Sequence, residues 1–452
     1  MVLSTDIKER VSLVEIYLAR VRCDLRLPGL SVAVVYDHQV IYATGLGCAA
    51  PGRAVTSQTP FLLGSLSKSF TALAVMQLVE RGEVELDDSV RCYIPWFLAS
   101  SPQVADITVR HLLTHTSGLS RYGGRELLAG RGDKSVEQSV RALSGVELVH
   151  TPGVKFEYSN SNYLVLACLI EMVSGFSYPA YIQRFIFARL SMHDSAAAPL
   201  VLSLAQGHRW WFGWPVPFNA PYLFDAQAAA FLSSSASDMA RWLLLHLSDG
   251  SLDGVRVLSS AAMEILHAPS VFTKRRGSRA AMGWRVESLG DEWILRHGGE
   301  VSNFRADMLL VPGRGLGVVV LQNVNNGLVA QLGLDQVAAN VMRLLLGFPL
   351  AQRKLTFSRF YLCLDLALLV LTFLQAVLWP LLTLLGRPSL ILYIVLALDS
   401  LWPLLAFWRL PRIVDMTWRG LRLYVPDLYW WVVIIGVVTL LLNGISVVRW
   451  FL

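Results

Sequence analysis

Charge is what this sequence has least of. Asp, Glu, Lys and Arg make up 16% of its 452 residues, against about 25% in ordinary soluble chains. Apolar residues make up 54%. That balance excludes a mainly disordered chain and argues against a wholly soluble one. Cysteine is sparse as well: Cys23, Cys48, Cys92, Cys168 and Cys363 are odd in number and contain no C-x-x-C, which excludes a disulfide framework and a cysteine zinc site. There is no internal repeat and no low-complexity tract. Residues 1–22 lack the uninterrupted apolar core of a secretory signal. Their acids and bases interleave, and Val11, Val14, Ile16, Leu18 and Val21 recur at helical spacing, so an amphipathic helix packed on the first domain is expected, ended by Pro28-Gly29. The net charge is +6, but residues 353–452 carry nine Lys/Arg and four Asp/Glu, a net of +5. A basic excess confined to an apolar tail reads as membrane-flanking charge and not as a nucleic-acid footprint.

What is present falls into two parts. Ser31–Tyr36 and Gln39–Thr44 read as a hairpin joined by Asp37-His38. A helix is expected over Ser65–Glu80, stopped by Gly82. Residues 105–250 read mostly as helices and loops. Strands return at Ala281–Glu287, Glu292–His297, Phe304–Val311 and Gly315–Gln322, the last two joined by Pro312-Gly313-Arg314-Gly315. A closing helix spans Leu334–Leu346. Strands at both ends with helices between predict one α+β domain over 1–350 whose terminal strands share a sheet. After a linker at 351–358, residues 359–452 hold three apolar stretches, Phe360–Leu385, Ser389–Trp408 and Tyr429–Val448. Each meets the length of about 20 residues that a membrane-spanning helix needs. Trp379, Trp402, Trp408, Trp430 and Trp431 lie in or near their ends, as interfacial aromatics do.

Three short motifs carry chemistry. Ser65-Leu66-Ser67-Lys68 is an S-x-x-K at an expected helix start, and only Lys68, of six lysines, has a serine three residues before it. Residues at i and i+3 share a helix face, so the two side chains can meet. A serine hydroxyl needs a base to act as nucleophile, and a lysine serves if burial lowers its pKa. The helix N-terminus favours negative charge at the attacked carbonyl. Tyr158-Ser159-Asn160, the one Y-x-N, follows Thr151-Pro152-Gly153. Its phenol can relay a proton, and Asn160 can donate to a substrate amide carbonyl. His297-Gly298-Gly299, the one H-x-G, ends an expected strand. Its small residues let a substrate backbone lie along the strand edge, and a backbone N–H there can complete an oxyanion hole with that of Ser65. Taken singly, each motif has a plain alternative: a helix cap, a turn with a packing tyrosine, a strand end with a glycine turn.

Together, and with their flanks, they resemble the serine β-lactamase and penicillin-binding-protein superfamily, specifically the class C-like serine hydrolases. The flanks are Phe61-Leu62-Leu63-Gly64-Ser65-Leu66-Ser67-Lys68-Ser69-Phe70-Thr71, Leu112-Leu113-Thr114-His115-Thr116-Ser117-Gly118-Leu119, and Pro152-Gly153 leading into Phe156-Glu157-Tyr158-Ser159-Asn160. The resemblance implies an antiparallel sheet flanked by helices plus an all-helical region. It implies Ser65 as acylated nucleophile, Lys68 and Tyr158 as the base system, and Asn160, His297, Gly298 and Gly299 at the substrate. His297 stands where other members carry Lys, as in the esterases and peptidases of the group. No cofactor or metal is implied. With the three-helix tail, the chain is similar to membrane-bound peptidases that release N-acylated caps from nonribosomal peptide prodrugs, with Asn160 in place of the smaller serine expected there. The expected activity is hydrolysis of an amide or ester in a small-molecule or peptide-like substrate, by an enzyme anchored in a lipid bilayer. The alternatives are a penicillin-binding or sensing protein and a carboxylesterase with the same nucleophile.

The remaining features are open. His111 and His115 are spaced as a zinc pair but lack the Glu of H-E-x-x-H. Trp210, Trp211, Phe212 and Trp214 are either core or a lip over the acyl pocket or a contact with the membrane helices. The basic loop Thr273–Arg279 reads as solvated or lipid-touching. Asp365 and Asp399 lie within apolar stretches, where charge is costly. With three crossings, Arg353, Lys354, Arg359, Arg409, Arg412, Arg419 and Arg422 share a side with the first domain, and Arg387 and Arg449 lie opposite. The positive-inside rule puts that domain in the cytoplasm. The resemblance, whose membrane-bound members act on exported or envelope substrates, puts it outside, and an extracytoplasmic domain is the expectation carried forward. An amphipathic interfacial helix over Arg409–Asp427, with Leu410, Ile413, Val414 and Trp418 in lipid, would weaken the charge argument.

Overall fold

The computed structural model describes residues 5–97, 102–130, 132, 134–197, 203–327, 333–351, 357–384, 390–414 and 416–451. Most of the expected linker, with Arg353 and Lys354, and residues 385–389 with Arg387 lie outside the described residues, as do the side chains of Trp379 and Arg449.

Eight strands form one antiparallel sheet. In chain order they are β1 (Gly29–Tyr36), β2 (Gln39–Ala50), β3 (Arg53–Ala54), β4 (Arg279–Ala281), β5 (Trp284–Leu289), β6 (Glu292–Val301), β7 (Phe304–Val311) and β8 (Leu316–Gln322). The spatial order is β4-β5-β6-β7-β8-β1-β2-β3. The two chain ends of the domain therefore meet in mid-sheet, where β8 pairs with β1 from Leu30↔Gln322 to Tyr36↔Leu316.

Those central strands are apolar on both faces because both faces are covered. Leu30, Val32 and Val34 of β1 and Val318 and Val320 of β8 pack against α1 (Thr5–Asp24) through Val14, Leu18 and Val21, and against the closing helix. Ala33, Val35, Val319 and Leu321 point the other way, into the larger core. That core holds α2 (Ser67–Glu80), α3 (Asn160–Ser174) and α4 (Ala236–Leu247). The closing helix is α5 (Val337–Leu346).

Several expectations change. Ala281–Glu287 is not one strand: Gly283, at φ +74°, turns the chain between β4 and β5. His297-Gly298-Gly299 does not end a strand but lies inside β6. A hairpin, His208–Trp211 with Trp214–Pro217, occupies a region read as helix and loop. Ile16 of α1 faces solvent.

The tail contains α6 (Phe357–Leu384), α7 (Leu390–Val414), the short α8 (Trp418–Tyr424) and α9 (Pro426–Phe451). Among the described residues, Pro426–Gly444 is the stretch long and apolar enough, by length and composition, to cross a membrane. Trp402 of α7 packs on Trp431 of α9 with ring centroids 5.7 Å apart, and Asp399 accepts from Asn443 Nδ2 at 3.1 Å. Among the described residues, no single amphipathic helix runs through Arg409–Asp427: Met416 and Thr417 are not helical, and α8 turns Leu421 and Tyr424 into a buried cluster while Trp418 packs on Phe407.

Candidate active site

Ser65 sits in a single 3₁₀ turn, Gly64–Leu66, that leads into α2. Two close backbone approaches fix this turn. Gly64 takes φ +55°, and a Cβ there would lie 2.3 Å from the Glu300 nitrogen. A Cβ on Gly299 would lie 2.0 Å from the Leu63 carbonyl oxygen. Only glycine at both positions lets the end of β6 lie against the turn that carries Ser65. The turn is also tied from below. Ser67 Oγ donates to Gly64 O at 2.8 Å and accepts from Leu232 N at 3.1 Å. Thr71 Oγ1 donates to Ala228 O at 2.9 Å. These bonds hold the π-turn Gln227–Phe231 against α2 and aim the Ala229 carbonyl at Lys68.

Lys68 is fully buried. Its Nζ donates to Ser65 Oγ at 3.2 Å, Asn160 Oδ1 at 2.8 Å and Ala229 O at 2.7 Å. Three acceptors match the three hydrogens of an ammonium, and none of them is a carboxylate. Burial lowers the Lys68 pKa, the Arg285 charge lowers it further, and Tyr158 opposes both. Tyr158 OH donates to Ser65 Oγ at 2.9 Å. Lys68 Nζ lies 5.0 Å and the Arg285 guanidinium 5.9 Å from the centroid of the Tyr158 ring.

Asn160 begins α3. Its Oδ1 faces Lys68 and its Nδ2 donates to Gly124 O at 3.0 Å. The side chain that the sequence points toward a substrate carbonyl is thus held first by Lys68. His297, on β6, is buried with Nδ1 2.9 Å from Gly298 O, and burial together with Arg285 and Lys68 pushes its pKa well down. Its imidazole is therefore neutral at pH 7.

Sequence reasoning missed the residues that brace Tyr158. His115, at φ +59°, lies under the Tyr158 ring with centroids 4.3 Å apart. Its Nδ1 is 2.9 Å from Asn162 Nδ2 and accepts from Ser159 N at 3.3 Å. Two N–H groups aimed at one ring nitrogen fix the tautomer with the proton on Nε2. Burial, then Lys68, His297 and Arg285, keep that ring neutral. Ser117 Oγ donates to Asn162 Oδ1 at 2.6 Å, closing the brace. The sequence signal for this brace is His115 within Thr114–Leu119. Arg285 had no local signal, because β5 reaches the site only through the sheet. His111 is spent on its own helix, its Nδ1 accepting from Thr108 N at 3.3 Å.

A pocket of about 630 Å³, counting the solvent at its mouth, opens over Ser65, Tyr158 and Asn160. Arg121, Arg125 and Leu128 line one side, and Glu300, which pairs with Arg305 at 2.8 Å, lines the β6 side. The remaining wall comes from the C-terminal region: Met416, Thr417, Gly420 and Tyr424. The aromatic hairpin also meets that region. Trp210 is core, while Gly213 packs on the Tyr361 ring of α6. In the basic loop, Lys274 pairs with Glu157 at 2.7 Å, beside Tyr158.

A family model described as Beta-lactamase matches residues 12–341. Penicillin-binding protein 4 of Amycolatopsis lactamdurans is 30% identical over 322 residues, covering 67% of this chain and 82% of that protein. Protein flp of Staphylococcus aureus strain COL is 28% identical over 312 residues, 68% of this chain but only 61% of flp. Among solved structures, the octameric penicillin-binding protein homologue from Pyrococcus abyssi matches with a TM-score of 0.68 and 27% identity, covering 76% of this chain and 79% of that one. EstCE1, a hydrolase with promiscuous acyltransferase activity, shares the fold at a TM-score of 0.61 and 22% identity, over 71% of this chain and 94% of its own. The chain belongs to the beta-lactamase family and is a serine hydrolase of that family.

Proposed function

We propose that this member of the beta-lactamase family hydrolyses an amide or ester through an acyl-enzyme on Ser65, as a membrane-anchored peptidase of the D-aminopeptidase or prodrug-cap-removing type. The observation that carries the reading is the pair of hydrogen bonds at Ser65 Oγ, 3.2 Å from Lys68 Nζ and 2.9 Å from Tyr158 OH. A buried lysine with no carboxylate among its hydrogen-bond partners loses its proton more easily than a solvated one. In that state it takes the Ser65 proton as Oγ attacks the scissile carbonyl carbon. Tyr158 OH lies on the same oxygen and passes a proton to the leaving amine or alcohol. The Ser65 N–H and the backbone at the end of β6 receive the oxyanion. Water then attacks the acyl carbon, with the same base system taking its proton, and Ser65 is regenerated. Asn160 and the His297-Gly298-Gly299 segment serve the substrate, Asn160 also by holding Lys68.

Membrane anchoring by α6, α7 and α9 is part of the proposal, with a catalytic part over 1–350, a linker at 351–358 and a membrane part over 359–452. It is supported by Pro426–Gly444 and by the outward apolar side chains of the other two helices, among them Leu369, Phe373, Leu398 and Leu404. A water-facing surface of that kind would be an aggregation site. We place the catalytic part outside the cytoplasm.

The names of the relatives favour one alternative, a penicillin-binding protein that acylates without turning over. Labelling with a fluorophosphonate and with a penicillin probe, followed by peptide mapping, tests both readings. Label on Ser65 that is lost in Ser65→Ala supports the nucleophile. Continuous release of product from an ester or amide supports the hydrolase, whereas a single stoichiometric burst supports the penicillin-binding alternative. Undiminished turnover in Ser65→Ala, where a loss on the order of 10⁴-fold or more is expected, would overturn the assignment.

A further inference from the structure

The pocket over Ser65 is not closed by the catalytic part alone. Met416, Thr417, Gly420 and Tyr424, in or just before α8, supply one of its walls. They lie between α7 and α9, the second and third apolar helices. This segment is docked and not merely near. Arg419 Nη2 donates to Gly130 O at 3.0 Å, just past the helix that carries Arg121, Arg125 and Leu128. Gly327 N donates to Tyr424 O at 2.7 Å. Arg209 Nη1 donates to Arg422 O at 3.3 Å. Two loops of the catalytic part and the strand His208–Trp211 therefore hold α8 in place.

The composition of the wall says what it is for. Met416 and the Tyr424 ring present apolar surface from this wall and Leu128 from the facing side, while Arg121, Arg125 and Glu300 supply the charged lining elsewhere in the pocket. No residue of α8 that lines the pocket is charged. Gly420 stands among them without a side chain. A Cβ built there meets only its own neighbours, Met416 Cβ at 3.5 Å and Thr417 Oγ1 at 3.6 Å, which are ordinary contacts. The backbone therefore does not demand glycine for room, and because Gly420 itself lines the pocket, a larger side chain there changes the lining. An apolar wall with a bare backbone position selects a substrate by the size of its apolar part.

We propose that Met416, Gly420 and Tyr424 form the specificity wall of this active site. They accept a bulky apolar substituent of the amide or ester, so that the C-terminal helices set substrate choice as well as location. The proposal rests on Ser65 being the nucleophile, as argued above.

The test uses the full-length protein in detergent or vesicles. Two series of p-nitrophenyl or alkyl esters are compared, one lengthened on the acyl side and one on the alcohol side, from two to ten carbons. The readout is the ratio of kcat/KM for long over short members. Gly420→Phe should lower that ratio at least about tenfold in one of the two series, the range that steric exclusion from an apolar pocket provides. Met416→Ala, which widens the same wall, should raise the ratio in that series. Fluorophosphonate labelling of Ser65 confirms that each variant is folded. Ratios unchanged in both series for Met416→Ala, or for a Gly420→Phe that still labels, would overturn the wall. If wild-type protein labels elsewhere than Ser65, the nucleophile assignment falls and the wall with it, a result distinct from an unchanged ratio.

Discussion

Lys68 Nζ lies 2.8 Å from Asn160 Oδ1, although the two residues are 92 positions apart. A neutral amide oxygen orients the lysine without adding negative charge, so burial keeps its lowered pKa. Asn160→Asp places a carboxylate at the same distance, which favours the ammonium and raises the lysine pKa. The base form is the deprotonated one, so the ascending limb of kcat/KM against pH should move to higher pH, and activity at pH 7 should fall. A pH–rate profile with an unmoved limb would show that Lys68 is not the titrating base.

Lys68→Arg tests the same base by another route. Guanidinium keeps the charge and the hydrogen-bonding capacity but does not lose its proton at working pH. Activity should drop by about 10²–10⁴-fold, the usual contribution of a general base. Steady-state turnover near wild type in this variant would leave the lysine a purely electrostatic role.

The contact of β6 with the Ser65 turn leads to a stability prediction. Gly299→Ala drives a methyl toward the Leu63 carbonyl oxygen, which lies 2.0 Å from the ideal Cβ position. Backbone cannot yield as a flexible side chain can, so the strand must move from the turn. A destabilisation of about 1–3 kcal/mol is expected from overpacking of this kind, with a larger fractional loss of activity than of folded protein. Gly298→Ala, whose Cβ would approach nothing nearer than Arg305 Nη2 at 3.5 Å, should be milder. Thermal melts and turnover of the two variants, measured side by side, check the order.

The contrast between those glycines marks what the sequence could convey. Ser65, Lys68, Tyr158 and Asn160 were legible because each belongs to a short motif, and the structure brings all four into contact. The apolar β1 and β8 were legible because burial on both faces leaves a continuous hydrophobic run. Gly283, by contrast, breaks what looks like one strand, since an apolar run does not announce a single left-handed residue. Arg285 and His115 act through space, one from a neighbouring strand and one from beneath the Tyr158 ring. The wall from α8 joins residues some 350 positions from Ser65, which no local pattern encodes.

A pair of buried histidines predicts a fold that loses stability in acid. His246 Nδ1 lies 2.8 Å from His267 Nε2, beneath Trp242 and Trp284. Burial, and for His246 the neighbouring His267, lowers both pKa values, that of His267 to about 4. An unfolded histidine takes up a proton near pH 6.5, whereas the folded one does not until lower pH. The stabilisation is therefore complete above about pH 6.5 and is lost as pH falls through about 4. The His267 contribution is on the order of 3 kcal/mol. His267→Asn should flatten the fall in melting temperature between pH 6.5 and 4. An equally steep fall would assign the acid sensitivity to other groups, such as His115 and His297.

Sidedness is the last prediction, and two physical arguments oppose each other. With α6, α7 and α9 all crossing, as proposed, Arg409, Arg412, Arg419 and Arg422 share a side with the catalytic part, which by the positive-inside rule is the cytoplasm. Their contacts offer a different reason for their being there. Arg419 is spent on Gly130 O. Arg412 lies over the Trp408 ring at 4.6 Å, and Arg422 over Trp430 at 5.6 Å. Charges that dock α8 on the catalytic part and stack on tryptophans have a role whichever leaflet they face, which weakens their vote on orientation. With that vote weakened, the outer face remains the placement proposed above. Protease treatment of intact cells, or of spheroplasts where an outer membrane is present, should digest the catalytic part and leave a membrane-protected fragment of α6 to α9. A catalytic part protected until lysis would place it in the cytoplasm, with its anchor and its α8 wall unchanged.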